Sequence, residues 1–173
     1  KTTAQEPRYY NQQNTGRPVA DDNEKFAKFA SNSRDVSNCP RYPFGYGLSY
    51  TTFEYGNLKV DRNSFTADDM LTVSVDVTNT GSRVGKEAVL LYSSDLLASL
   101  TPDNRRLRAF QKVELQPGET RTVTFLLPAK ELAFVGFDGR WTLEEGDFTL
   151  KIGHLTQNVT CTKTKIWDTP NID

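Results

Sequence analysis

Residues Leu71–Gly81 read LTVSVDVTNTG, in which Leu71, Val73, Val75 and Val77 alternate with Thr72, Ser74, Asp76 and Thr78. A period of two is what a strand with one dry and one wet face requires. Thr80 and Gly81 end it. Downstream, Glu87–Tyr92 behaves differently, because Ala88, Val89, Leu90, Leu91 and Tyr92 are apolar on both faces. Such a strand is expected to be covered from both sides, one face meeting the core and the other a neighbour, which makes Val89 and Leu91 candidates for docking. Leu107–Leu115 reads as a further strand closed by Gln116, Pro117 and Gly118, and Val123, Phe125 and Leu127 alternate in the next until Pro128 stops it. Ala129–Leu132 fits one helical turn. Phe134–Phe137 and Trp141–Leu143 are expected to form a hairpin about Asp138 and Gly139, whose positive φ a tight reversal needs. Glu145 and Gly146 turn the chain into Phe148, Leu150 and Ile152, and a last strand is expected near Val159–Ile166. Short strands with frequent turns and almost no helix predict an all-β, antiparallel β-sandwich of the immunoglobulin or fibronectin type III-like kind, with a closed barrel as second choice.

Upstream, residues 1–41 are polar and turn-rich, with NTGRP at Asn14–Pro18 and DVSNCP at Asp35–Pro40. They read as an irregular linker, relieved by one possible helical turn at Asp22–Ala30 where Phe26 and Phe29 share a face. A start without Met on such a segment looks like a piece of a longer polypeptide. The 173 residues suffice for one well-cored domain, assigned to 42–173, plus this tail. Between the two lies Tyr42–Tyr55, YPFGYGLSYTTFEY, with six aromatics in fourteen residues. Glycines let the backbone approach a neighbour, while Phe44, Tyr46, Tyr50 and Phe53 supply apolar area, so these four are docking candidates.

Lys plus Arg number 21 against 22 for Asp plus Glu, giving a net charge of -1 and no basic surplus for nucleic acid or anionic membrane. No apolar run approaches the roughly 20 residues of a membrane span. Cys39 and Cys161 are too far apart for a CxxC pattern, and two unpaired thiols are expected. Hydrolysis of a glycosidic bond needs two carboxylates about 5 to 10 Å apart. Here Asp61, Asp68, Asp69, Glu119, Asp138, Glu144 and Glu145 sit at turns, and Asp76 and Glu114 on the wet sides of strands. The single histidine, His154, follows Phe148, Leu150 and Ile152 in register and reads as a structural residue at a strand end. One His and two distant Cys make no metal-ligand set, and no calcium or phosphate loop is present, so neither metal nor cofactor is expected. Asn158-Val159-Thr160 fits the glycosylation acceptor pattern, which recurs by chance. Trp141, Trp167 and the tyrosines leave open an autonomous carbohydrate-binding or adhesion module, which would need a flat exposed aromatic row.

The phrases NTGRP, YPFGYGLSYTTFEY, VSVDVTNTGSRVGKEAVLLY, LRAFQKVELQPGETRTVTF, ELAF and GRWTLEEGDFTLKIG run through most of the chain. Together they resemble the C-terminal fibronectin type III-like domain, with its preceding linker, of glycoside hydrolase family 3, the β-glucosidases and β-xylosidases. The resemblance implies that the catalytic aspartate and glutamate lie in domains upstream, so this chain carries no catalytic residue. Its partners are then the catalytic domains of the parent hydrolase, which it would pack on and support, and carbohydrate is met only through that parent. The family also implies a periplasmic or extracellular setting. Two departures stand out. Asp95-Leu96 replaces the usual Asp-Pro, and Ala109 replaces the usual glycine before Phe110, so the loop 96–106 is expected to follow its own course.

Overall fold

The computed structural model describes Tyr42, residues 44–100, Asp103 and residues 105–168. The expected linker, residues 1–41 including Cys39, lies outside them. Eleven strands are described: β1 (Phe53–Val60), β2 (Ser64–Phe65), β3 (Met70–Asn79), β4 (Gly85–Asp95), β5 (Arg106–Leu115), β6 (Thr120–Pro128), β7 (Phe134–Val135), β8 (Trp141–Leu143), β9 (Gly146–Ile152), β10 (Leu155–Cys161) and β11 (Lys165–Trp167). A 3-10 turn at Ala129–Leu132 follows β6.

Two sheets, in the orders β1-β3-β6 and β2-β10-β9-β4-β5, face each other, and a short sheet, β11-β8-β7, lies beside them. Pairing is antiparallel except between β2 and β10. The alternation in β3 places Leu71, Val73, Val75 and Val77 wholly inside, where they meet Val123, Phe125 and Leu127 of β6 and the inner residues Val89, Leu91, Phe148, Leu150, Ile152 and Val159 of the other sheet. Trp141 and Trp167, register partners across β8 and β11, cover the margin of this core. Apolar side chains on alternate positions of both sheets thus fill one shared layer, which is the sandwich that the period of two predicts.

The turns carry most of the differences from expectation. Pro117 and Gly118 form a reversal in which Glu119 N–H donates to the Gln116 carbonyl at 3.0 Å and Gly118 takes φ +76, the pattern of a type II turn. Between β7 and β8 only Gly139 has positive φ, while Gly139 N–H bonds the Gly136 carbonyl at 3.0 Å. The reversal is therefore a longer loop closed by a left-handed glycine, where a two-residue turn would have put Asp138 at positive φ as well. The last strand expected near Val159–Ile166 is instead two, β10 starting earlier at Leu155 and ending at Cys161, and β11 over Lys165–Trp167. β9 and β10 are joined through Gly153 and His154, with Gly153 at φ +59 in the first turn position that type II′ hairpins give to glycine, and a separate β11 follows. His154 therefore sits exposed in a turn instead of continuing the buried row of β9.

Candidate docking surface

The stretch that leads into β1 lies across the outside of the five-stranded sheet. Gly45, at φ +85, is seated so closely that a Cβ there would stand 2.8 Å from Leu90 Cδ1 and 3.3 Å from the Tyr92 hydroxyl. A side chain there would be strained by the backbone and would have to push the Leu90 side chain aside. Tyr42 and Tyr46 on either side of it have ring centroids 5.0 Å apart and planes tilted by 43°. Beneath, Tyr92 is buried, and the Arg105 guanidinium lies 5.0 Å from its ring centroid. Leu48 and Tyr50 project further, 90% and 93% exposed.

The chain then locks into the sandwich through Thr51–Phe53. Thr51 Oγ1 donates to Asn79 Oδ1 at 2.7 Å, and Asn79, fully buried, donates in turn to the carbonyls of Arg83 at 2.8 Å and Leu115 at 3.0 Å. Gly81 and Gly85 form the seat. A Cβ on Gly81 would lie 2.1 Å from Thr51 Oγ1, and one on Gly85 would lie 2.4 Å from Thr51 Cγ2 and 2.9 Å from Phe53 Cζ. At the open edge between the sheets the Tyr55 hydroxyl donates to Glu87 Oε1 at 2.7 Å, and burial followed by this bond pushes the phenol up.

The six docking candidates divide. Phe44, Tyr46 and Tyr50 are exposed. Phe53 instead packs against the core, and Val89 and Leu91 are fully buried within it, so these three serve the domain's own interior. The parity of β4 explains the correction, since Val89 and Leu91 share the inward side with Gly85 and Glu87, leaving Ala88, Leu90 and Tyr92 to face outward. Phe110 on β5 is the register partner of Leu90, stands 71% exposed, and was not singled out by sequence reasoning. Alternation would have found it, because Val113 and Leu115 fix the inward parity of β5.

A concavity of about 150 Å³ lies where β4 leaves the sheet, lined among others by Ser93, Asp95, Arg106, Arg108 and Phe134. Arg108 Nε donates to Ser93 Oγ at 2.7 Å and its guanidinium also reaches the Glu131 carbonyl. The loop is tied at its start, Leu97 N–H donating to Asp95 Oδ1 at 3.1 Å and Ser99 N–H to Glu144 Oε2 at 2.8 Å. Burial raises the Asp95 carboxyl, and the nearby Glu144 charge adds to the effect. Among the described residues no group of three or more His, Cys, Asp or Glu side chains converges as metal ligands would. Cys161 is a buried thiol lying 3.4 Å from the Lys163 carbonyl.

Comparison with known proteins matches residues 87–156 to the fibronectin type III-like domain family. Those residues of the sandwich are a fibronectin type III-like domain. The chain is 39% identical over 153 residues to a periplasmic β-glucosidase of Salmonella typhimurium, covering 88% of this chain and 20% of that protein. It is 46% identical over 114 residues to a β-xylosidase of Formosa agariphila, covering 66% and 16%. Among solved structures, the β-glucosidase of Listeria innocua in complex with gluconolactone superposes with a TM-score of 0.80 at 33% identity, covering 88% of this chain and 22% of that one. These relatives are β-glucosidases and a β-xylosidase, and the chain spans about a fifth or less of their length.

Proposed function

We propose that the chain is the non-catalytic accessory domain of a larger family 3 glycoside hydrolase of β-glucosidase or β-xylosidase type, and that it packs on the catalytic domains and stabilises them. The observation that carries this reading is the exposed aromatic junction, Tyr42 to Tyr50, on a sandwich that matches only one part of much longer hydrolases. Aromatic side chains left on the surface of a well-cored domain are the usual material of a contact. An autonomous carbohydrate module would call for a coplanar row, whereas the Tyr42 and Tyr46 rings are tilted against each other.

In the full-length enzyme, Phe44→Ala combined with Tyr46→Ala is expected to lower the melting temperature or the folded yield. The Michaelis constant of the enzyme that remains folded should hold, since no substrate contact is lost. A large rise in that constant at normal stability would place these aromatics at the sugar site and overturn the reading.

A further inference from the structure

We propose that the outer face of β4 and β5, centred on Phe110, is the surface against which the catalytic part of the same polypeptide packs, while the outer face of the β1-β3-β6 sheet stays in solvent. This rests on the accessory-domain reading above and names the face it uses.

The two outer faces differ in chemistry. On β4 and β5, Ala88, Leu90 and Tyr92 stand beside Phe110, and Gly45 lies over Leu90 and Tyr92 with Phe44 next to it in the same hollow. Around this apolar centre come charged residues, Lys112 opposite Ala88 and the Lys86–Glu114 pair at 3.1 Å. An aromatic centre with a charged rim is the composition of a protein interface. Across β9 and β10 the same sheet turns polar, with Thr149 bonded to Asn158 at 2.9 Å and Thr160 to Asp147 at 2.6 Å, so the patch stops at β4.

The opposite face is built of hydroxyls that satisfy one another. Thr78 and Thr120 are 2.8 Å apart, Thr122 donates to Asp76 at 2.6 Å, Asn57 donates to the same carboxylate at 2.8 Å, and Ser74 stands opposite Thr124. Nothing in that row gains from being covered. Its exposed apolar residues, Leu126 at 66% and Met70, are neighbours of the row at one end of the sheet.

The occupant follows from the path of the chain. The polypeptide passes over Leu90 and Tyr92 of β4 at Gly45 before it enters β1, so whatever precedes the sandwich is tethered beside this face at high effective concentration. The hydrolases it matches are about four times its length, which leaves ample chain to cover the patch.

Hydroxyl-radical footprinting of the full-length enzyme, read by mass spectrometry, tests the assignment, because Phe110 and Leu126 are nearly equally exposed in the lone sandwich. Each rate is normalised to that residue's rate in the denatured chain. Phe110 should lose most of its reactivity while Leu126 keeps the rate of a surface side chain. Free reactivity at Phe110 overturns the assignment even where the Phe44 and Tyr46 variants still destabilise the enzyme, which would leave the accessory role intact. Protection of Leu126 together with Phe110 overturns the solvent side. Protection of Phe110 that vanishes on dilution would put a second copy on the face and equally overturn the proposal.

Discussion

Asn79 has no exposed surface, yet each polar atom of its amide is used: Oδ1 accepts from the Thr51 hydroxyl and from Gly81 N–H, and Nδ2 donates to two carbonyls. A buried amide so satisfied is tolerated in a core where an unpaired one would be costly. Its sequence neighbour in β3 parity, Val77, is simply apolar. The clearest measure of that parity lies on β6, where Phe125 is 6% exposed and Thr124 points out opposite Ser74. Phe125→Ala is expected to destabilise by about 3 to 5 kcal/mol, as for other buried aromatics. Thr124→Ala should change stability by less than about 1 kcal/mol. Equal costs in a denaturant titration of the 173-residue chain would mean a register slipped by one, which exchanges the faces. The inward rows of β3, β6 and β9 were legible because alternation is a local property of the sequence. The role of Asn79 was not, since its partners at Thr51 and Leu115 come from other strands and no pattern near residue 79 announces them.

At the scale of the element, β4 shows how a correct pattern can mislead. Its run of apolar residues was readable, and so was the expectation of cover on both sides, but which residues face which way depends on parity. Val89 and Leu91 are inside, Ala88 and Leu90 outside, and Phe110 joins the outer pair only through the β4–β5 register. The entry to β1 makes a similar demand on its neighbours. Gly81 and Gly85 are required by the approach of Thr51 and Phe53, while Gly47 has no atom within 4 Å of a Cβ. Gly85→Ala is therefore expected to cost about 1 to 3 kcal/mol by overpacking. Gly47→Ala should be neutral or slightly stabilising, by up to about 1 kcal/mol, through a less flexible unfolded chain. Thr51→Ala clears the methyl that a new Cβ at 85 would strike, so the double variant should cost less than the sum of the singles. Additive losses would show that the seat is not where Gly85 acts.

For the whole molecule, acid offers a readout of how its carboxylates are arranged. Asp61, Asp69, Glu119 and Asp138 accept backbone N–H bonds, and Asp76 accepts from Thr122 and Asn57, all of which hold these groups below the usual carboxylate range. A lowered folded value means stability that is present above the unfolded carboxylate range and lost as pH falls through the folded values, that is, below roughly pH 4. Asp95 has the opposite sign. Burial, aided by Glu144, raises it, so ionised Asp95 detracts from stability at neutral pH and the penalty fades as pH falls through its raised value. Asp95→Asn keeps an oxygen for Leu97 N–H and removes the charge, so it is expected to raise the denaturation midpoint at pH 7. The gain over the parent chain should shrink as pH falls and close once Asp95 is protonated, while both proteins lose stability together below roughly pH 4. If the substitution lowered the midpoint at pH 7, the charge of Asp95 would be held favourably by Arg108, and the loop after β4 would be anchored by an ion pair in place of a buried, disfavoured carboxylate.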